Sequence, residues 1–415
     1  MLPVLLIFVV AFGLRVAWMR HSYPDDIVFT SNPLLFGDEV FYYFAAASLA
    51  AGEAYRDPLT GELTSLFPPG YPFALTPLFV VFGTHLLVAK LLNVTVSALT
   101  AVLVYALAAR VADRRAGLLA GGLMAVWPSQ VLFSALVMTE PLFVALSVVL
   151  VLALTAWLRD RAGVSAWQAV ALGLLLGYMG LVRAEALLLL GAVPALWLLS
   201  GVSWRNAVGA APLLLLGAAL VIAPWTARNY ARFDEFILLR GGESDPSRVI
   251  RIGLSVDYEK WQQYKNEQLA PDGFGAIAGD YAREPWQVAV VGGKKLHDLF
   301  ERDDPMHYVR ARWLEIYYQD PPLSDAEAGR WTALSNWYYY VVAGWAVLSA
   351  PLWWPRVRGP LRVVLWFSVS WTLVYALFVP DFRYHFPIIP MLCVLAACGA
   401  IAAWGALGKR RDGRA

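Results

Sequence analysis

The stretch MTEPLFVALSVVLVLALTAWL, residues 138–158, sets the frame for the whole chain: one carboxylate, one proline, then an unbroken apolar run. Residues 141–158 carry no charge and match the length a helix needs to cross a hydrocarbon core of about 30 Å. Pro141 suits a helix start, where its missing N–H would have no intrahelical partner, so the helix opens beside Glu140. A carboxylate at the edge of such a span is costly and reads as a functional residue. The helix-start pattern Thr139-Glu140-Pro141 accounts for it equally well.

Working outward, comparable runs lie at 2–19, 84–109, 116–133, 338–355, 363–379 and 386–405. The apolar region 166–227 is interrupted by Arg183 and Glu185 and again by Trp204, Arg205 and Asn206, and reads as three shorter spans. The chain of 415 residues is 59% hydrophobic and 15% charged with mean hydropathy +0.55, more apolar than soluble domains, which sit near half. Its 18 Trp and 19 Tyr suit membrane interfaces and also stacking on sugars. A net charge of +2, with no basic cluster interleaved with aromatics, argues against nucleic acid as a partner. Cys393 and Cys398 lie five apart in one apolar run and diverge on a helix, so they read as packing or lipid-facing residues, not as a disulfide or zinc site.

Orientation follows from Arg and Lys in short loops. Arg110, Arg114 and Arg115, then Arg159 and Arg161, then Arg205 form one set, joined by Arg356, Arg358, Arg362, Lys409, Arg410, Arg411 and Arg414 if the chain crosses ten times with both termini cytoplasmic. Arg15 and Arg20, after the first span, dissent. The first span lacks a basic leader and a small-residue cleavage site and is expected to be retained. The resulting plan is a transmembrane module at 1–227 with a first outer loop at 20–83, an extracytoplasmic cap at 228–337, and C-terminal spans with a cytoplasmic tail at 338–415. No internal repeat is visible.

The chemistry is expected on the two outer segments. Gly37 precedes Asp38-Glu39-Val40-Phe41-Tyr42-Tyr43-Phe44-Ala45, a polar start to an apolar-rich helix suited to the interface. Phe67-Pro68-Pro69-Gly70-Tyr71-Pro72 opens a second element too short to span. A helix N-terminus favours an anionic side chain by a few tenths to about one kcal/mol, so Asp38 is placed to accept a proton from a hydroxyl; a plain helix cap is the alternative. Arg183 and Glu185 read either as a mutually neutralising pair at a turn or as a phosphate contact. Arg383, in Pro380-Asp381-Phe382-Arg383-Tyr384-His385-Phe386-Pro387, is either a clamp on a lipid phosphate or the partner of Asp381, and His385 alone is more often structural than a ligand. Gly-rich phosphate loops, His-Glu-x-x-His and Ser/His/Asp orders do not occur, which disfavours soluble nucleotide sugars as donors.

These residues together resemble the GT-C-fold membrane glycosyltransferases, in the branch of the protein O-mannosyltransferases and the lipid A aminoarabinose transferases. The likeness rests on Gly37-Asp38-Glu39 with Tyr42 and Tyr43, Pro68-Pro69-Gly70-Tyr71-Pro72, Thr139-Glu140, Arg183-Ala184-Glu185, Ala223-Pro224-Trp225 with Arg228-Asn229-Tyr230, and Arg383-Tyr384-His385-Phe386-Pro387. It implies an all-α membrane protein with juxtamembrane helices and an inverting transfer of a sugar from a polyprenyl-phosphate carrier to an extracytoplasmic glycan, lipid or protein. In that reading Asp38 is the general base, with Glu39 and Glu140 as catalytic companions. Arg183, Arg228 and Arg383 bind the donor phosphate, and Tyr42, Tyr43, Tyr71, Tyr384 and His385 line the substrate site. The aminoarabinose transferases carry a Lys before the Pro-Pro pair where this chain has Phe67, a departure that leaves the acceptor open and a divalent metal possible but not indicated. No cofactor is expected, and the partners are the donor, the acceptor and membrane lipids of a prokaryotic inner membrane. A polyprenyl-lipid or sugar carrier, and a non-catalytic lipid-binding partner, are the alternatives.

Overall fold

The computed structural model describes residues 2–22, 37–158, 163–241, 273–315, 323–357, 359–377 and 381–411. Within them the chain is helical, and the extended pairing is a single bridge between Arg56 and Leu63. The helices are α1 (Leu2–Ser22), α2 (Asp38–Ala50), α3 (Gly70–Phe82), α4 (Leu86–Val111), α5 (Arg114–Ala125), α6 (Pro128–Phe133), α7 (Glu140–Trp157), α8 (Ala166–Val182), α9 (Leu189–Leu199) and α10 (Trp204–Phe233). Further along the chain come α11 (Gly273–Arg283), α12 (Gln287–Phe300), α13 (Met306–Glu315), α14 (Asp325–Leu348), α15 (Leu361–Leu377) and α16 (Ile389–Arg411).

Five of the described helical stretches are long and apolar enough to cross a membrane: α1, α4, α7, α10 and Phe382–Leu407. Gly70–Phe82, Ala166–Val182, Ala184–Leu199 and Leu361–Ala376 are apolar but shorter. The expected span at 116–133 is two helices, because Pro128 has no N–H to continue α5 and opens α6 instead. The expected span at 338–355 begins much earlier, at Asp325, where Ser324 accepts the Glu327 N–H, and it stops at Leu348 ahead of Pro351. Helix α10 runs through Phe233, across the boundary expected at 227/228. Arg159, Arg161, Arg358 and Arg414, used above for orientation, lie outside the described residues.

The dissent of Arg15 has a physical explanation. It lies within α1, fully buried, donating to Ser97 Oγ (2.8 Å), Ala11 O (2.9 Å) and Ala125 O (2.9 Å). It is a core anchor holding the end of α5, not a loop cation, and a buried guanidinium persists only where such acceptors satisfy it. Cys393 and Cys398 are likewise buried, which selects packing over lipid exposure.

Small residues bring α8 and α10 into backbone contact. A Cβ at Gly173 would lie 2.1 Å from the Leu214 carbonyl oxygen, and one at Gly217 2.3 Å from that of Val170. Close approach of this kind replaces the hydrophobic drive that helices lack inside lipid. Gly173→Ala is therefore expected to force the helices apart and cost about 1–3 kcal/mol, read as a lower melting temperature in detergent. Gly70 is built the same way: its Cβ would meet the Leu181–Val182 backbone at 2.5–2.6 Å, and its carbonyl accepts the Tyr178 hydroxyl at 3.0 Å. The start of α3 is thus seated one residue before Arg183.

Candidate active site

Five distant segments meet at one end of the bundle: the starts of α2 and α7, the turn after α8, the segment that follows α10, and the short 3-10 segment Phe382–Ile388. At the first, Gly37 takes the capping position in extended conformation and no side chain caps the helix. The Asp38 carboxylate is therefore not spent as a cap. Its Oδ2 lies 3.3 Å from Arg383 Nη1.

The neighbouring Glu39 has a different job. It is fully buried, and its Oε2 accepts the Val137 N–H at 2.8 Å. Asn93 grips the same loop, donating to Leu136 O (2.6 Å) and Met138 O (3.0 Å) and accepting from the Tyr71 hydroxyl (3.1 Å). Together they fix residues 136–138, and so deliver Glu140 at the first position of α7.

Glu140 is the hub. Its Oε1 lies 3.1 Å from Arg183 Nη1 and 3.3 Å from Arg383 Nη1. Both local pairings considered from sequence give way to these long-range ones. Arg183 pairs with Glu140 and not with Glu185, whose Oε1 lies 3.6 Å from Arg240 Nη2. Arg383 pairs with Asp38 and Glu140, while Asp381 accepts the Arg383 backbone N–H at 3.2 Å and the Tyr308 hydroxyl at 2.9 Å. Aromatic faces back the cations: Arg183 sits 4.6 Å above the Tyr384 ring and Arg383 4.9 Å above that of Tyr308. Tyr384 stacks on Tyr375, whose hydroxyl is 3.5 Å from Arg183 Nη2.

Exposure separates the acids. The Asp38 side chain is 28% exposed, Glu140 is 3% exposed, and Glu39 is closed off. The cations have donors to spare: the Nε groups of Arg183, Arg240 and Arg383 are buried without a hydrogen-bond acceptor among the described residues. Unpaired buried N–H donors are costly, and those of Arg183 and Arg383, beside Glu140 and Asp38, suit an anion bearing several oxygens.

The remaining sequence candidates divide. Tyr42 joins the site: burial, then the charges of Asp38 and Glu140, push its phenol well above the ordinary value, so it stands as a neutral hydroxyl there. Tyr43 points away, its hydroxyl on Thr84 O at 2.7 Å, and Tyr71 serves Asn93. His385 is a core residue, fully buried between Phe300 and Tyr339, with Nδ1 2.9 Å from Leu299 O and Nε2 3.4 Å from Asp303. Arg228 is an anchor, donating to Thr64 O (2.8 Å) and Tyr55 O (3.0 Å) beside a groove of about 350 Å³. Arg240, Tyr308 and Tyr375 are additions. The signal for Arg240 was a single cation closing the apolar run Phe236-Ile237-Leu238-Leu239. His297 and Asp298 on α12 and Glu301 just after it bring ligand atoms within 4.8 Å of one another, His297 Nδ1 lying 3.6 Å from Asp298 and 3.2 Å from Glu301.

A family model described as dolichyl-phosphate-mannose-protein mannosyltransferase matches residues 67–227. No curated protein matches the chain. The archaeal oligosaccharyltransferase AglB from Archaeoglobus fulgidus, solved with an inhibitory peptide and a dolichol-phosphate, superposes with TM-score 0.57 at 18% identity over 99% of this chain and 51% of its own. ArnT from Cupriavidus metallidurans, solved with undecaprenyl phosphate, gives 0.58 at 15% identity over 97% of this chain and 61% of its own. The chain has the GT-C fold. It spans about half the length of the GT-C oligosaccharyltransferase and about three-fifths of that of ArnT. In GT-C terms, the region matched by the family model holds Glu140 and Arg183, while Asp38, Arg240 and Arg383 come from outside it.

Proposed function

We propose that the chain is an inverting glycosyltransferase that moves a sugar from a polyprenyl-phosphate carrier to an extracytoplasmic acceptor. The observation that carries this is Asp38, the most accessible carboxylate of the ion-pair cluster among the described residues, held against the guanidinium of Arg383, which also pairs with Glu140, itself the partner of Arg183. Asp38 takes the proton from the acceptor nucleophile, that nucleophile attacks the anomeric carbon, and the phosphate departs with the electrons of the C–O bond. The leaving group is already an anion. It needs oriented N–H donors more than a proton, and Arg183 and Arg383 supply them. Glu39 and Glu140 act by placing these groups. Arg383 Nη1 stands 3.3 Å from both the Asp38 and the Glu140 carboxylates and so links the base to the ion-pair ladder.

Two solved proteins of the same fold carry dolichol-phosphate and undecaprenyl phosphate, which supports a lipid-phosphate donor here. Ten crossings, with the site on the outer face of a prokaryotic inner membrane and both termini inside, remain the arrangement that fits the loop charges. Helices joined by tight turns at 112–113 and 200–203 run antiparallel, which puts Arg110, Arg114, Arg115 and Arg205 at the end opposite the site. The test is release of labelled sugar by purified protein from a panel of polyprenyl-phosphate sugars, with water in place of the acceptor. Release from one member names the donor. Absence of release from every member, in folded protein with added acceptor extracts, sinks the transferase reading in favour of a carrier.

A further inference from the structure

Arg240 reaches the site by a route that the reading of Arg183 and Arg383 as phosphate contacts does not use. The segment after α10 folds back along that helix because three α10 side chains capture successive carbonyls. Asn229 Nδ2 donates to Ile237 O (3.0 Å), Thr226 Oγ1 to Leu238 O (2.9 Å) and Trp225 Nε1 to Leu239 O (2.7 Å). On the other side of Arg240, the Gly241 N–H donates to Ser65 O at 3.0 Å. Every residue flanking Arg240 is thus pinned, and its side chain, 17% exposed, is delivered to Glu185.

The charges explain why that delivery matters. Without Arg240 the cluster holds three carboxylates, Asp38, Glu140 and Glu185, against two guanidiniums, Arg183 and Arg383, a fixed charge of 2 − 3 = −1 facing an anionic donor. With Arg240 it is neutral. Glu185 interacts most with Arg240, then with Arg183 and Arg383. A buried carboxylate stripped of its cation recruits the next one within reach, and Arg183 is two residues away.

We infer, resting on the donor reading above, that Arg240 is a positioning residue: it neutralises Glu185 and so reserves Arg183 for Glu140 and the donor phosphate. It acts through Glu185 and Arg183, so removing its partner along with it restores the site. The experiment is equilibrium binding of undecaprenyl phosphate to the full chain in detergent, for the wild type, Arg240→Gln, Glu185→Gln and the double variant, each checked for folding by thermal unfolding. Arg240→Gln is expected to bind about ten-fold more weakly, because an unpaired buried carboxylate then competes for Arg183. Glu185→Gln and the double variant are expected to stay within about two-fold of wild type, the coupling a double-mutant cycle isolates.

Binding by Arg240→Gln equal to wild type overturns the inference and leaves the donor reading standing. A double variant as weak as Arg240→Gln also overturns it, since Arg240 would then touch the phosphate itself. Should Arg240→Gln not fold, the double variant decides alone, near-wild-type binding supporting the inference and weak binding rejecting it. Wild-type protein that does not bind undecaprenyl phosphate sinks the donor reading, and this inference with it.

Discussion

Asp38→Asn is expected to lower sugar transfer by about two to four orders of magnitude, the range a positioned general base contributes, while leaving the fold and donor binding close to wild type. The asparagine keeps the size of the side chain and an oxygen toward Arg383, now 3.3 Å from Asp38, but it cannot accept the proton of the acceptor nucleophile. The comparison that isolates chemistry is Glu39→Gln. The Glu39 carboxylate is closed off from solvent and holds the Val137 N–H, so its loss acts on the placement of the loop before Glu140 and shows as reduced stability. Initial rates with a saturating donor, beside binding of the same donor, check both. Turnover near wild type in Asp38→Asn would remove the base.

The second large effect is on stability. Glu140→Ala deletes the oxygen that two guanidiniums share, Arg183 at 3.1 Å and Arg383 at 3.3 Å, and both arginines are mostly buried, at 11% and 14% exposure. Breaking a buried pair by removing one partner typically costs about 3–5 kcal/mol, because the charge left behind is neither hydrated nor paired. Here Arg183 loses its carboxylate partner and Arg383 is left with Asp38 alone. Glu140→Gln keeps an acceptor without the charge and should fall between Ala and wild type. Thermal unfolding in detergent reads the series, and an unchanged melting temperature for Glu140→Ala would show that the ladder does not hold the fold.

Much of this arrangement was legible in the residues. The apolar runs, the two short elements at 38–50 and 70–82, and four residues that converge, Asp38, Glu140, Arg183 and Arg383, were visible because run length, Pro and Gly placement and isolated charges in apolar surroundings are local properties. Local signals also misled in a consistent direction. They offered Arg183 to Glu185, Arg383 to Asp381, Asp38 to its own helix cap and Arg15 to a loop, each the nearest partner along the chain.

The sequence alone therefore determined that the chain lives in a bilayer and which short motifs carry charge to its edge, since the cost of burying a polar group in lipid is paid residue by residue. Tertiary structure decided who pairs with whom. Arg383 meets Asp38 across 345 residues and Arg183 meets Tyr375 across 192, and no local pattern encodes such distances. Those pairings are set by which helix ends the glycine contacts at 70, 173 and 217 allow to approach, a matter of packing in three dimensions.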